Sequence, residues 1–129
     1  MNRPPAPGPA GPARPAPPSL DGRVLAPVAD QSAGQVGTRT RFAYHEREGV
    51  VWAEYQGGDV VHGRLVGTRD GDRLDFRYVQ LRTDGTTASG HCLATVVALP
   101  DGRLRLEEEW EWESAPGRGT SAVEEVRQG

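Results

Sequence analysis

From residue 38 onward, apolar and polar residues alternate with a period of two, and short glycine-bearing segments interrupt the rhythm every 7–13 residues or so. Such alternation sends successive side chains to opposite faces of an extended strand. The interruptions are turn signals: Arg47-Glu48-Gly49, Gln56-Gly57-Gly58-Asp59, Asp70-Gly71-Asp72, Thr83-Asp84-Gly85, Pro100-Asp101-Gly102 and the run Ala115 to Gly119. Glycine supplies positive φ, and Asp-Gly pairs favour the turns whose twist matches paired strands. With Val, Thr, Tyr, Phe and Trp between them, the pattern predicts strands over 22–28, 38–47, 50–56, 59–69, 72–82, 86–98, 102–113 and 119–127.

No stretch carries helical spacing, and no connection is long enough for a parallel crossover, so the strands form an antiparallel meander. About eight such strands left open would expose two unpaired edges; closure into an up-and-down barrel removes them. A two-sheet sandwich is the structural alternative. A barrel of this size is either filled by side chains or holds one small ligand.

The alternation also sorts the faces. In 103–113 every odd position is charged, while the even ones read Leu104, Leu106, Glu108, Trp110 and Trp112. Glu108 alone breaks the apolar face, and a carboxylate in an apolar interior requires a partner, a hydrogen bond or a proton. Leu74, Phe76, Tyr78 and Gln80 share the inner face of 72–82. Phe42 and Tyr44 do so in 38–47, and Tyr55 with Val51 and Ala53 in 50–56, leaving Trp52 outside as a contact for a second copy. In 59–69, Val61, Gly63, Leu65 and Gly67 oppose His62, Arg64 and Arg69. The small residues Gly90, Cys92, Ala94 and Val96 face inward in 86–98.

Candidate ligand-binding residues are therefore Tyr44, Tyr55, Phe76, Tyr78 and Gln80, with Cys92, Glu108, Trp110 and Trp112 from the later strands. Aromatic walls with a few polar groups describe a small-molecule site. Catalytic candidates stand among them: Glu108 as a general acid or base, with Tyr78 or Tyr44 polarising a carbonyl, suited to a cofactor-free isomerase or cyclase. The structural alternative pairs Glu108 with an arginine reaching inward, such as Arg77 on a bulged strand. A solid barrel serving as a protein-interaction module is the third reading.

Composition narrows the chemistry. All 15 basic residues are arginine, which excludes Schiff-base and phosphate-loop lysine chemistry. The net charge of −3, with arginines spread singly, argues against nucleic acid as a partner. Three dispersed histidines and a lone cysteine show no metal-ligand spacing, so no metal and no cofactor is expected. No apolar run approaches the ~20 residues of a membrane helix.

Of the 11 prolines, 8 lie in the first 18 residues. Residues 1–19 are expected to form a disordered tail, and residues 20–129 the single barrel domain. The start of the chain lacks the apolar core of a secretory signal, which predicts a cytoplasmic protein.

Several motifs are shared with a known family: Tyr55-x-Gly57-Gly58, Gly63-x-Leu65-x-Gly67, Phe76-Arg77-Tyr78-x-Gln80, Gly90-x-Cys92, Leu106-x-Glu108-x-Trp110-x-Trp112 and Gly119-x-Ser121-x-x-Glu124-Glu125. Over about residues 40–127 the chain resembles short bacterial proteins often labelled N-acetylglutamate synthase. That label implies acetyl transfer, yet the residues supply no strand-to-helix glycine loop to hold the pyrophosphate of acetyl-CoA. The pattern is instead similar to a calycin or lipocalin barrel, with a small organic molecule as the expected partner.

Overall fold

The computed structural model describes residues 17–28 and 39–127. Eight strands run in chain order: β1 Val24–Pro27, β2 Arg41–Arg47, β3 Val50–Gly57, β4 Val60–Asp70, β5 Arg73–Arg82, β6 Thr87–Ala98, β7 Leu104–Trp112 and β8 Arg118–Glu125. Each pairs antiparallel with the next, and β1 pairs with β8 to close the barrel. The eight-stranded antiparallel barrel expected from the alternation is what forms. No helix among the described residues is long and apolar enough to cross a membrane.

Turn chemistry sets the register. Between β2 and β3, Glu48 and Gly49 both adopt positive φ, the geometry of a tight two-residue hairpin. Pairing there runs without a slip from Arg47↔Val50 to Arg41↔Gln56. One slip occurs in β4, where the pairing jumps from Val60↔Arg82 to His62↔Leu81. This bulge inverts the expected face of the strand's first residues: Val60 is buried and Val61, expected inside, is 41% exposed. Beyond the bulge, Gly63 and Leu65 face inward as the alternation predicts.

The two ends of the barrel differ. At the end carrying the β2–β3, β4–β5 and β6–β7 turns, Leu25, Val51, Leu74, Val96, Leu104 and Leu106 fill the interior. Leu20, fully buried, adds to this core from the segment before β1, and its backbone N–H donates to Glu46 Oε1 at 2.9 Å. Arg69, expected on the outer face, lies under this end with its side chain 6% exposed. Its guanidinium reaches Glu46 Oε1 at 2.8 Å and donates to the carbonyls of Pro17 at 2.6 Å, Pro18 at 2.9 Å and Gly71 at 2.8 Å. Of the tail expected over residues 1–19, residues 1–16 lie outside the described residues, and Pro17 and Pro18 are held against the barrel by Arg69.

Candidate functional site

At the opposite end the interior is not filled. A cavity lies in the lumen here, lined from all eight strands, with an empty volume of about 620 Å³ counted with the solvent at its mouth. Six aromatic rings line it: Phe42, Tyr55, Phe76, Tyr78, Trp110 and Trp112. They form two connected groups. Phe42 stacks on Tyr55 at 4.6 Å between centroids; Phe76, Tyr78, Trp112 and Trp110 follow one another at 6.4, 5.5 and 5.9 Å.

Glycines explain why these rings leave a void. Gly63 stands opposite Tyr55, Gly67 opposite Phe76, Gly90 opposite Tyr78 and Gly119 opposite Trp110. A methyl group at any of the four would overlap the facing ring or the backbone beside it. The side chains of Tyr55, Tyr78 and Trp110 thus lie over a bare stretch of the neighbouring strand, while at Gly67 the space is taken by the backbone and Cβ of Phe76.

Three polar side chains interrupt the apolar lining besides the tyrosine hydroxyls: Gln80, Glu108 and Ser121. Glu108 is half-buried, and Ser121 Oγ donates to its Oε1 at 2.9 Å across the β7–β8 pair. Loss of solvation pushes its carboxyl up to about 7, against the smaller lowering effect of the Ser121 hydrogen bond. The arginine partner considered from sequence is not used: Arg77 faces outward and pairs with Glu113 at 3.2 Å.

Gln80 is 2% exposed. Its Oε1 accepts a hydrogen bond from Tyr55 Oη at 3.1 Å, while Nε2 has no protein partner. Burial pushes the Tyr55 and Tyr78 hydroxyls and the Cys92 thiol up, so all three are protonated at neutral pH. A protonated thiol with no base beside it is a poor nucleophile. His91, the nearest histidine in sequence, faces out and pairs with Asp75 at 2.5 Å.

Of the nine expected site residues, eight line the cavity. Tyr44 does not: it is 1% exposed within the core, and its hydroxyl has no partner among the described residues. Trp52 lies outside the barrel, half-buried and stacked on His45 at 5.3 Å. Sequence reasoning passed over Ser121, although its alternation with Gly119 and Val123 marks it as inward. No group of three or more His, Cys, Asp or Glu side chains among the described residues could hold a metal ion.

The family whose pattern this chain matches is described as Avidin-like protein, over residues 18–126. The chain belongs to the Avidin-like protein family. No curated protein and no solved structure matches it. Avidin-like barrels typically bind small molecules, and the match takes in Pro18, one of the two prolines that Arg69 holds, as well as all eight strands.

Proposed function

We propose that this avidin-like barrel binds one small organic molecule in its lumen, around Glu108, without converting it. The observation that carries the reading is the cavity itself: a partly open void walled by six rings and containing a single ionisable carboxylate. Ligand sites are concave, mostly apolar, and oriented by a few polar groups. A solid barrel acting as an interaction module would have no use for the three glycines over which Tyr55, Tyr78 and Trp110 lie.

The enzymatic alternative has one supporting observation, the Glu108 carboxyl near neutrality. Its tyrosine partner is otherwise engaged. Tyr78 Oη reaches Glu111 O at 3.5 Å, and Tyr44 is enclosed in the core and does not line the cavity, so neither hydroxyl is placed to polarise a carbonyl held beside Glu108. Binding is therefore the reading that the hydrogen bonds favour.

Native mass spectrometry of the protein purified from its own cells tests the reading, together with melting-temperature shifts across a panel of small organic molecules. A co-purifying mass, or a ligand that raises the melting temperature of the wild type and less so of Glu108→Gln, supports it. A chain that travels alone and responds to no member of the panel overturns it.

A further inference from the structure

The cavity wall offers a ligand two polar contacts of opposite character. Gln80 lines the cavity, and its Nε2 is a buried donor without a partner among the described residues. The orientation of this amide is set by Tyr55, whose hydroxyl donates to Oε1 at 3.1 Å. With the amide turned over, Nε2 would donate to the Tyr55 hydroxyl, Oε1 would lose its donor, and the hydroxyl proton would be left with Val79 O at 3.5 Å, too long for a strong bond. A buried N–H without an acceptor is costly, so a ligand oxygen placed there recovers a hydrogen bond that the protein alone forgoes.

Glu108 presents an acceptor. Ser121 donates to its Oε1 at 2.9 Å. Among the described lining residues there is no arginine or histidine, whereas there are six aromatic rings; one of them, Trp112, already carries the Arg82 guanidinium at 5.6 Å from its centroid. Ring faces attract cations, as Arg82 over Trp112 illustrates, and the Glu108 carboxylate repels anions.

The two contacts stand at different depths. Gln80 pairs with Ala88 of β6, and Glu108 pairs with Ala94, six positions farther along the same strand. Gln80 is two residues from the end of β5 at the open side, while Glu108 lies toward the filled side.

We propose, building on the binding function above, that the lumen selects an organic amine whose nitrogen meets Glu108 and whose opposite end carries a carbonyl-type oxygen for Gln80. Gln80 is then the specificity-determining residue, and Tyr55 positions it.

Calorimetric titration with 4-(aminomethyl)benzamide, benzylamine, benzoate and indole tests the assignment. The wild type is expected to bind 4-(aminomethyl)benzamide about tenfold more tightly than benzylamine, and benzoate not measurably. Gln80→Leu removes that preference, weakening the benzamide about tenfold and benzylamine less than twofold; Glu108→Gln weakens both amines about tenfold. Tyr55→Phe keeps the ring but frees the amide, and narrows the preference; it carries the test if Gln80→Leu does not fold.

Equal affinity for the two amines in the wild type, an equal loss of both in Gln80→Leu, or tighter binding of benzoate than benzylamine overturns the proposal. Should indole bind while neither amine does, the amine assignment falls and the binding lumen stands. Should indole also fail to bind, the binding lumen falls with it.

Discussion

The filled and the hollow halves of this barrel are built from the same eight strands and the same two-residue alternation, yet one is a core and the other a site. In the filled half, leucines and valines from strands around the barrel, together with Leu20, meet at the centre and are at most 3% exposed. In the hollow half the inward side chains are larger, which would suggest tighter filling. The opposite results because Tyr55, Tyr78 and Trp110 are paired across strands with glycines, whose missing side chains let these rings lie against the neighbouring strand. Closing the interior thus depends less on side-chain volume than on whether side chains from opposite walls reach the axis.

The largest effect that separates the halves is on stability. Leu106→Ala, in the filled half with a fully buried side chain, is expected to cost about 2–5 kcal/mol, as deleted core methyl groups leave a void. Urea denaturation measures the loss. Trp112→Leu, on the cavity wall, is expected to cost no more than about 1 kcal/mol while removing ligand response, since the ring borders space already open. Equal costs at the two positions would show that the hollow half is as tightly packed as the filled one.

Glu108 extends the contrast to pH. Its carboxyl is raised to about 7 in the folded chain from an ordinary value of 4.5. Between these values the unfolded chain releases its proton first, so stability declines as pH rises and is fully reduced above about 7. The difference corresponds to about 3 kcal/mol. Glu108→Gln is expected to be more stable than the wild type at pH 8 and close to it at pH 4. Denaturation at both pH values checks this, and a variant equally or less stable at pH 8 would mean that the carboxylate is better solvated than the geometry indicates.

Much of this contrast is legible in the sequence, and its limits are physical. The strands follow from alternation and glycine punctuation, both local properties of the chain. Glu108 follows from being the one charge on an otherwise apolar face. The hollow itself does not follow, because it depends on which glycine stands opposite which ring, and that is fixed by register across strands far apart in sequence. Val61 was placed on the wrong face because a bulge adds one residue without any marker of its own. The seating of Pro17 and Pro18 was equally hidden: Arg69 recognises their backbone carbonyls, which are the same whatever the side chain.

That seating is also testable. Arg69→Leu strips Glu46 and the two proline carbonyls of a nearly buried cation, and breaking such a pair costs about 3 kcal/mol when one charge is left behind. Glu46 is still reached by the Leu20 amide, so the loss is expected to be smaller, about 1–2 kcal/mol. Hydrogen exchange at the Leu20 amide should accelerate in the variant before the exchange of β5 or β6 does. Simultaneous acceleration of all three would mean that the segment is an integral strand-like part of the core.

The smallest change tests the packing rule directly. Gly63→Ala adds one methyl group where the Tyr55 ring lies, so the ring must swing off the wall. Displacement of the ring toward the bore carries Tyr55 Oη away from Gln80 and narrows the cavity at once. The expected cost in stability is about 1–3 kcal/mol, typical of overpacking, and can be no larger if the hollow accepts the displaced ring. Ligand response should fall further than stability does. In the double variant Gly63→Ala with Tyr55→Leu, the added methyl no longer meets a ring, and most of the stability returns. If it does not, the glycine is required for the backbone of β4 rather than for the ring that covers it, and the hollow must be held open by something other than ring-over-glycine pairing.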